Sequence, residues 1–299
     1  TQVFLDRDSV PLRPAMTWKD TRAEAALPRL HEVLATHPEA RNINAFHPLA
    51  RLAWLRAEEP TAFARLDGVL EPKDWLNFCL TGVRATDPVS MARLLACCEA
   101  QDGCDAFALA GLPEAVLPPV FEAQQRIGTV RADLPMPFQQ LAGVPVFCSS
   151  NDTWAAVLGL GALRAGYAYN ISGTTEVLGM VSDRAAEAEG LLTVDWRGFW
   201  QLGGPSQNGA DCAAWLVDLV AGEGRTMPVG EAMTALLDRP RDPQPLLFLP
   251  YLQGERVPYW NPNLRGAFVG LNRRHHAVDL AYAVLEGVGF LNRIVLERA

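Results

Sequence analysis

Two neighbouring segments constrain this chain most. Residues 143–163 read GVPVFCSSNDTWAAVLGLGAL, an apolar run that stops at small polar residues and restarts with helical composition. Residues 167–183 read YAYNISGTTEVLGMVSD, two alternating runs about Gly173-Thr174-Thr175. The first is the pattern of a short buried strand feeding a helix that opens at Asp152. The second is the pattern of paired strands joined by a glycine turn. The change of texture between them predicts a domain boundary near Ala165–Gly166, dividing the chain into 1–165 and 166–299. At 299 residues both parts are large enough to bury a core.

Upstream, VFLDRDSVPLRP predicts a strand and turn, and AMTWKDTRAEAALPRL an extended piece running into a helix. From Pro48 to Gly111 the pattern is helical, with Asp87-Pro88 expected to open a helix. Downstream, LLTVDWRGFWQLGG adds strand, GADCAAWLVDLVAG is an amphipathic helix ending in glycine, and HHAVDLAYAVLEGVGFLNRIVLERA is a final helix.

Charge and composition exclude several roles. A formal charge of −8 with no Lys/Arg-rich run argues against a nucleic-acid surface. No apolar run approaches the roughly 20 residues that span a bilayer, so no membrane partner is expected. The six cysteines lack metal or disulfide spacing; reduced, buried thiols and a cytoplasmic setting are expected. No histidine has ligand spacing, and no metal-binding residue is assigned.

Three places carry candidate chemistry. Asp152 lies near the positive end of a helix dipole, which favours its ionised form, yet acids at helix starts are commonly caps. Both readings stay open on local grounds. Gly173, Thr174 and Thr175 offer backbone N–H groups, two hydroxyls and a residue that lets a phosphate approach closely, although most Gly-Thr turns are merely turns. No G-x4-G-K-[ST] or G-x-G-x-x-G pattern occurs. Trp18, Asp20 and Arg22, spaced two apart, would share one face of an extended segment; the alternative is a core tryptophan beside a surface ion pair.

Four stretches in order then resemble one family. GAFVGLNRRHHAVDLAYAVLEG has Gly266, Gly270, Leu271, Asp279, Leu280 and Glu286 at the spacing of the C-terminal signature of the FGGY carbohydrate kinases. VFLDRDSVPLRPAMTWKDTRA, KDWLNFCLTGVRATDPVSMA and PYLQGERVPYWNPNLRGAFVGL are similar to other family stretches, so the resemblance covers essentially the whole chain.

The resemblance implies an α/β, two-domain actin/hexokinase/Hsp70-like (ribonuclease H-like) fold whose lobes face a cleft. It implies ATP-dependent phosphorylation of a sugar or polyol, a ketose such as a pentulose foremost, with Mg2+ on the phosphates. Asp152 matches the general base, and Gly173, Thr174 and Thr175 the phosphate-contacting turn. Trp18 matches a tryptophan of the acceptor pocket, with Asp20 and Arg22 contacting substrate or orienting it. Thr153 departs from a position that often holds an amide. Gly209 and Ala210 resemble a small-residue turn near the nucleotide, with spacing to Trp215 one residue off. Glu255 and Arg256 are expected to be structural.

The implied partner is a small sugar or polyol, with a homodimer allowed. The family's Asp-x-Gly-Thr phosphate loop and its Gly-rich adenosine loop do not occur in the sequence. An internal portion of a longer kinase, incomplete at both ends, is therefore expected: 1–165 the rest of a sugar-binding domain, 166–299 the start of a nucleotide-binding domain. A non-catalytic sugar-binding module and an actin-like ATPase are the rival classes.

Overall fold

A computed structural model of the chain describes residues 1–299 apart from 19, 100–103, 197 and 223–225. It divides into two compact units, Thr1–Asp152 and Thr153–Ala299. That division falls before the change of texture at Ala165–Gly166. The aromatic anchor of the intervening helix explains the difference: Trp154 is buried and stacks on Trp196, with ring centroids 5.3 Å apart.

In the first unit β1 (Val3–Leu5) pairs antiparallel with β2 (Gly68–Leu70). Around them lie α1 (Leu27–Val33), α2 (Pro48–Glu58), α3 (Pro60–Phe63), α4 (Pro72–Thr81), α5 (Ala92–Ala96) and α6 (Ala106–Ala110). The core joins Phe4 and Val69 to Leu49, Leu52, Leu55 and Phe107. The helical pattern expected throughout Pro48–Gly111 is thus broken by β2. Three residues carry no readable period, and their partner strand lies far away in sequence. Asp87-Pro88 opens a turn rather than a helix: the Asp87 carboxylate accepts from the Val89 and Ser90 amides.

A second ribbon pairs β3 (Arg126–Thr129) with β4 (Pro145–Phe147) and packs on α4. The strand expected to be buried is so on one face only. Val146 is covered, whereas Pro145 and Phe147 are exposed, because successive side chains point to opposite faces of the ribbon. α7 (Asp152–Gly159) follows, opening at the predicted residue.

The second unit holds an antiparallel four-stranded sheet, ordered β5-β6-β8-β7: β5 (Ala168–Ser172), β6 (Glu176–Ser182), β7 (Leu192–Trp196) and β8 (Phe199–Pro205). α8 (Ala210–Ala221), α9 (Val229–Leu237), the ribbon of β9 (Leu247–Leu249) with β10 (Ala267–Val269), and α10 (Ala277–Arg298) complete it. Their core is Cys212, Leu216, Val217, Phe248, Ala281 and Val284. α9 was not anticipated from sequence.

α10 starts with a capping box closed by Asp279. Its buried carboxylate also accepts from the Asp242 amide at 2.6 Å. Burial opposes ionisation there, but those amide hydrogen bonds hold the group below the usual carboxylate range. Among the described residues no helix is long and apolar enough to cross a membrane.

Candidate active site

Candidate residues occur in both units. In the first, Asp152 is the opening residue of α7 and is exposed. Thr153 beside it is half-buried. The chain reaches them from β4 through Cys148–Asn151, and the hydrogen bonds of that link show why it takes its course. Lys73, in the first turn of α4, places its ammonium 2.7 Å from Asp74 Oδ1 and 2.8 Å from Asp87 Oδ1. The same ammonium donates to the carbonyls of Cys148 (3.1 Å) and Ser149 (3.3 Å). Asn77 Nδ2 donates to the Cys148 carbonyl at 2.9 Å, and Ser150 Oγ to Asp87 Oδ2 at 2.9 Å.

Burial would lower the Lys73 ammonium, but the two carboxylates outweigh it and raise it above the lysine range. The same ion pairing and hydrogen bonds hold Asp87 below the carboxylate range against burial, whereas at Asp74 burial outweighs Lys73, Thr86 and the Glu71 amide and raises the group. Asp87 and Asp74 are fully buried, so a charged partner is required.

The Trp18 element differs from its expected geometry. The Asp20 amide donates to the Thr17 carbonyl at 3.0 Å, closing a turn, and Arg22 begins a 3-10 segment. An extended face is therefore absent; Lys19 lies outside the described residues. Trp18 is 43% exposed, which rules out a core tryptophan. Arg22 pairs with Asp20, Nη2 to Oδ2 at 2.5 Å, and its guanidinium lies 5.1 Å from the Trp54 ring centroid. That hydrogen-bonded ion pair draws Asp20 down to about 2.

The turn itself is tied from below. Arg51, buried within α2, donates from Nη2 to the Thr17 carbonyl (2.8 Å) and from Nη1 to the Met16 carbonyl (3.3 Å) and to Gln2.

In the second unit Gly173–Thr175 joins β5 to β6. The structure brings this turn together with Gly209 and Ala210. The Ala210 amide donates to the Gly173 carbonyl at 3.0 Å and the Asp211 amide to the Thr174 carbonyl at 3.3 Å. The N-terminus of α8 is thus spent on latching the turn. Gly173 and Thr174 are exposed. Among the described residues no hydrogen bond to protein runs from the amides or hydroxyls of Thr174 and Thr175, so these donors suit an anion.

Gly209 must be glycine on packing grounds, since an added Cβ would lie 2.9 Å from the Thr175 carbonyl carbon. Gly173 need not be: its Cβ would meet only the Thr175 oxygen at 3.7 Å.

The loop before Gly209 is held by buried Glu255. Its carboxylate accepts from the Gln207 amide (2.6 Å), Ser206 Oγ (3.1 Å), Asn208 Nδ2 (2.9 Å) and the Arg256 amide (2.7 Å). Burial raises the group above the usual range, and these donors oppose the rise. Arg256 Nη2 donates to the Ser206 carbonyl at 2.8 Å, so both residues serve the same loop.

Lys73, Asn77, Arg51 and the placement of Arg22 on Trp54 were not assigned from sequence. One signal was available for Lys73: a cation in the first turn of a helix opposes the helix dipole and calls for a partner. The six cysteines are all free; Cys97, Cys148 and Cys212 are buried, whereas Cys104 is exposed, contrary to expectation. Among the described residues no group of three or more His, Cys, Asp or Glu could hold a metal ion.

Comparison with known proteins gives the class. Residues 1–159 match the model of the N-terminal domain, and residues 168–299 that of the C-terminal domain, of the FGGY family of carbohydrate kinases. The chain belongs to that family. A xylulose kinase of Escherichia coli is 31% identical over 300 residues, and one of Klebsiella pneumoniae 30% over 296; each match covers 96% of this chain and 60% of the relative.

The solved xylulose kinase of Rhodospirillum rubrum superposes with a TM-score of 0.78 at 25% identity, covering 98% of this chain and 61% of that one. A xyloylose kinase of Brucella ovis gives 0.77 at 26%, with the same coverage. The fold is the two-domain actin/hexokinase-like α/β type these neighbours share. This chain spans about 60% of the length of the curated relatives it matches.

Proposed function

We propose that the chain supplies the base and a phosphate turn of an ATP-dependent sugar or polyol kinase, with a ketose such as a pentulose as acceptor. Family membership supports the class, and relatives named xylulose kinase support the acceptor. The observation that carries the chemistry is Asp152, an exposed carboxylate at the first position of α7, with its incoming backbone held by charged hydrogen bonds.

Asp152 accepts the proton of the acceptor hydroxyl while that oxygen attacks the terminal phosphorus. The new O–P bond forms as the bond to the bridging oxygen breaks, and ADP leaves with the electron pair. Thr174 and Thr175 donate to phosphate oxygens, and bare Gly173 leaves room for them. Gly209 and Ala210 act by latching that turn. Trp18 presents an apolar face to the sugar, next to the Asp20–Arg22 pair, and Thr153 is a further acceptor contact. Magnesium would neutralise charge on the nucleotide's phosphates. The six free cysteines suit a reducing compartment.

Asp152→Asn in the complete gene product tests this. Sugar binding by calorimetry should persist while kcat falls about 100-fold, the scale for losing a general base. Turnover near wild type would reassign Asp152 to helix capping. A wild-type protein inert toward ketoses, aldoses and polyols would remove the kinase reading altogether.

A further inference from the structure

Asp152 depends on the direction in which the chain enters α7, and that direction is not one the backbone takes freely. Ser149 has φ +62°, the left-handed region that a non-glycine residue adopts only when its surroundings impose it. The surroundings are specific. The amides of Cys148 and Ser149 donate to the carbonyls of Gln125 (2.9 Å) and Ala123 (2.7 Å). Their carbonyls are both held by Lys73, and that of Cys148 also by Asn77. Ser150 is tied to Asp87, which itself grips Lys73.

We propose that Lys73, locked between Asp74 and Asp87, is a positioning residue that imposes the strained Ser149 turn and thereby aims Asp152. The proposal rests on the kinase reading for its catalytic half. It deepens that reading by linking α4, far upstream in sequence, to the orientation of the base. Lys73 touches no reacting atom. It acts through two carbonyls, and its compact ammonium meets two carboxylates and two carbonyls at once, a set a planar guanidinium would not match.

Two readouts on the complete gene product separate the halves. The first is hydrogen exchange of the Cys148 and Ser149 amides, bonded to the Gln125 and Ala123 carbonyls, with no substrate present. Lys73→Gln should speed it at least about 10-fold, since both carbonyls lose a charged donor and the loss of even one hydrogen bond is worth about that much. Asn77→Ala should act in the same direction; it strands no buried carboxylate, so it keeps the test usable should Lys73→Gln fail to fold. Unchanged exchange in Asn77→Ala, and in Lys73→Gln if it folds, overturns the proposal, whatever reaction the protein performs.

The second readout is steady-state kinetics. Asn77→Ala should lower kcat by roughly 10-fold with KM for ATP unchanged. Adding Ser149→Gly should recover most of that loss, because glycine takes φ +62° without strain. A purely structural role would lower the folded fraction and leave kcat per folded molecule intact, with no rescue. Faster exchange with unaltered kcat refutes the aiming of Asp152. A wild type that phosphorylates no sugar refutes the kinase reading, while the exchange result still decides whether the hub holds the turn.

Discussion

The latch between α8 and the Gly173–Thr175 turn makes a prediction whose size can be worked from distances. A Cβ added at Gly209 would lie 2.9 Å from the Thr175 carbonyl carbon, 3.0 Å from its Cα and 3.1 Å from the Glu176 nitrogen. All three are backbone atoms, so no side chain can swing away. Carbon atoms rest about 3.5–4.0 Å apart, so Gly209→Ala requires the turn and the helix start to separate by about 0.6–1 Å. The Ala210–Gly173 hydrogen bond at 3.0 Å and the Asp211–Thr174 bond at 3.3 Å lie across the gap that opens.

Overpacking of this kind costs about 1–3 kcal/mol, which lowers Tm by roughly 2–4 °C per kcal/mol in a protein of this size. A phosphate turn displaced by that much should lose about 10-fold in ATP affinity, with sugar affinity unaltered.

Gly173→Ala is the paired control, because its Cβ meets only an oxygen at 3.7 Å and its φ lies outside the left-handed region. That variant should melt within about 0.5 kcal/mol of wild type, the usual range for surface changes. It should still bind ATP less well, since the methyl group enters the space proposed for phosphate oxygens. Calorimetric titration with a non-hydrolysable ATP analogue and thermal melts of both variants decide the matter. Gly209→Ala that melts and binds like wild type refutes the latch. Gly173→Ala that binds ATP like wild type refutes the open turn as a phosphate site.

Two further predictions concern the Trp18 element. Asp20 titrates near 2 in the folded state, below its usual 3.8, chiefly through its hydrogen bonds with Arg22. A depressed carboxylate contributes stability above its unfolded pKa and loses it as pH falls through the folded one. The urea-midpoint difference between wild type and Arg22→Gln should therefore be present at pH 5, mostly lost by about pH 2 and gone below it. A difference independent of pH would show that Arg22 acts through its stacking on Trp54 instead. Arg51→Met removes a buried cation from the Thr17 and Met16 carbonyls. It should cost about 1.5–3 kcal/mol in urea unfolding and weaken sugar affinity more than ATP affinity; equal weakening would detach Arg51 from the acceptor side.

What could be seen in the sequence was whatever a short window encodes. The alternation of YAYNISG and TTEVLGM with a glycine between them gave β5, the turn and β6, and the run ending in Gly222 gave α8. The opening of α7 at Asp152 was equally local. What escaped depends on partners distant in the chain. β2 is a strand because β1 lies beside it, and nothing in Gly-Val-Leu announces that. The Thr17–Asp20 turn exists because Arg51 on α2 collects its carbonyls.

Lys73 shows how such a partner leaves a trace. At the second position of α4 its charge faces the positive end of the helix dipole, a placement disfavoured by some tenths of a kcal/mol on its own. A sequence that keeps an unfavourable local choice points to a compensating contact elsewhere. Here that contact is the pair of buried carboxylates, Asp74 next to it and Asp87 beyond the helix, with the strand end at Cys148–Ser149 completing the set. The cost in helix propensity is small beside that of leaving two buried acids unpaired. The lysine is therefore specified by the turn it organises rather than by the helix that carries it.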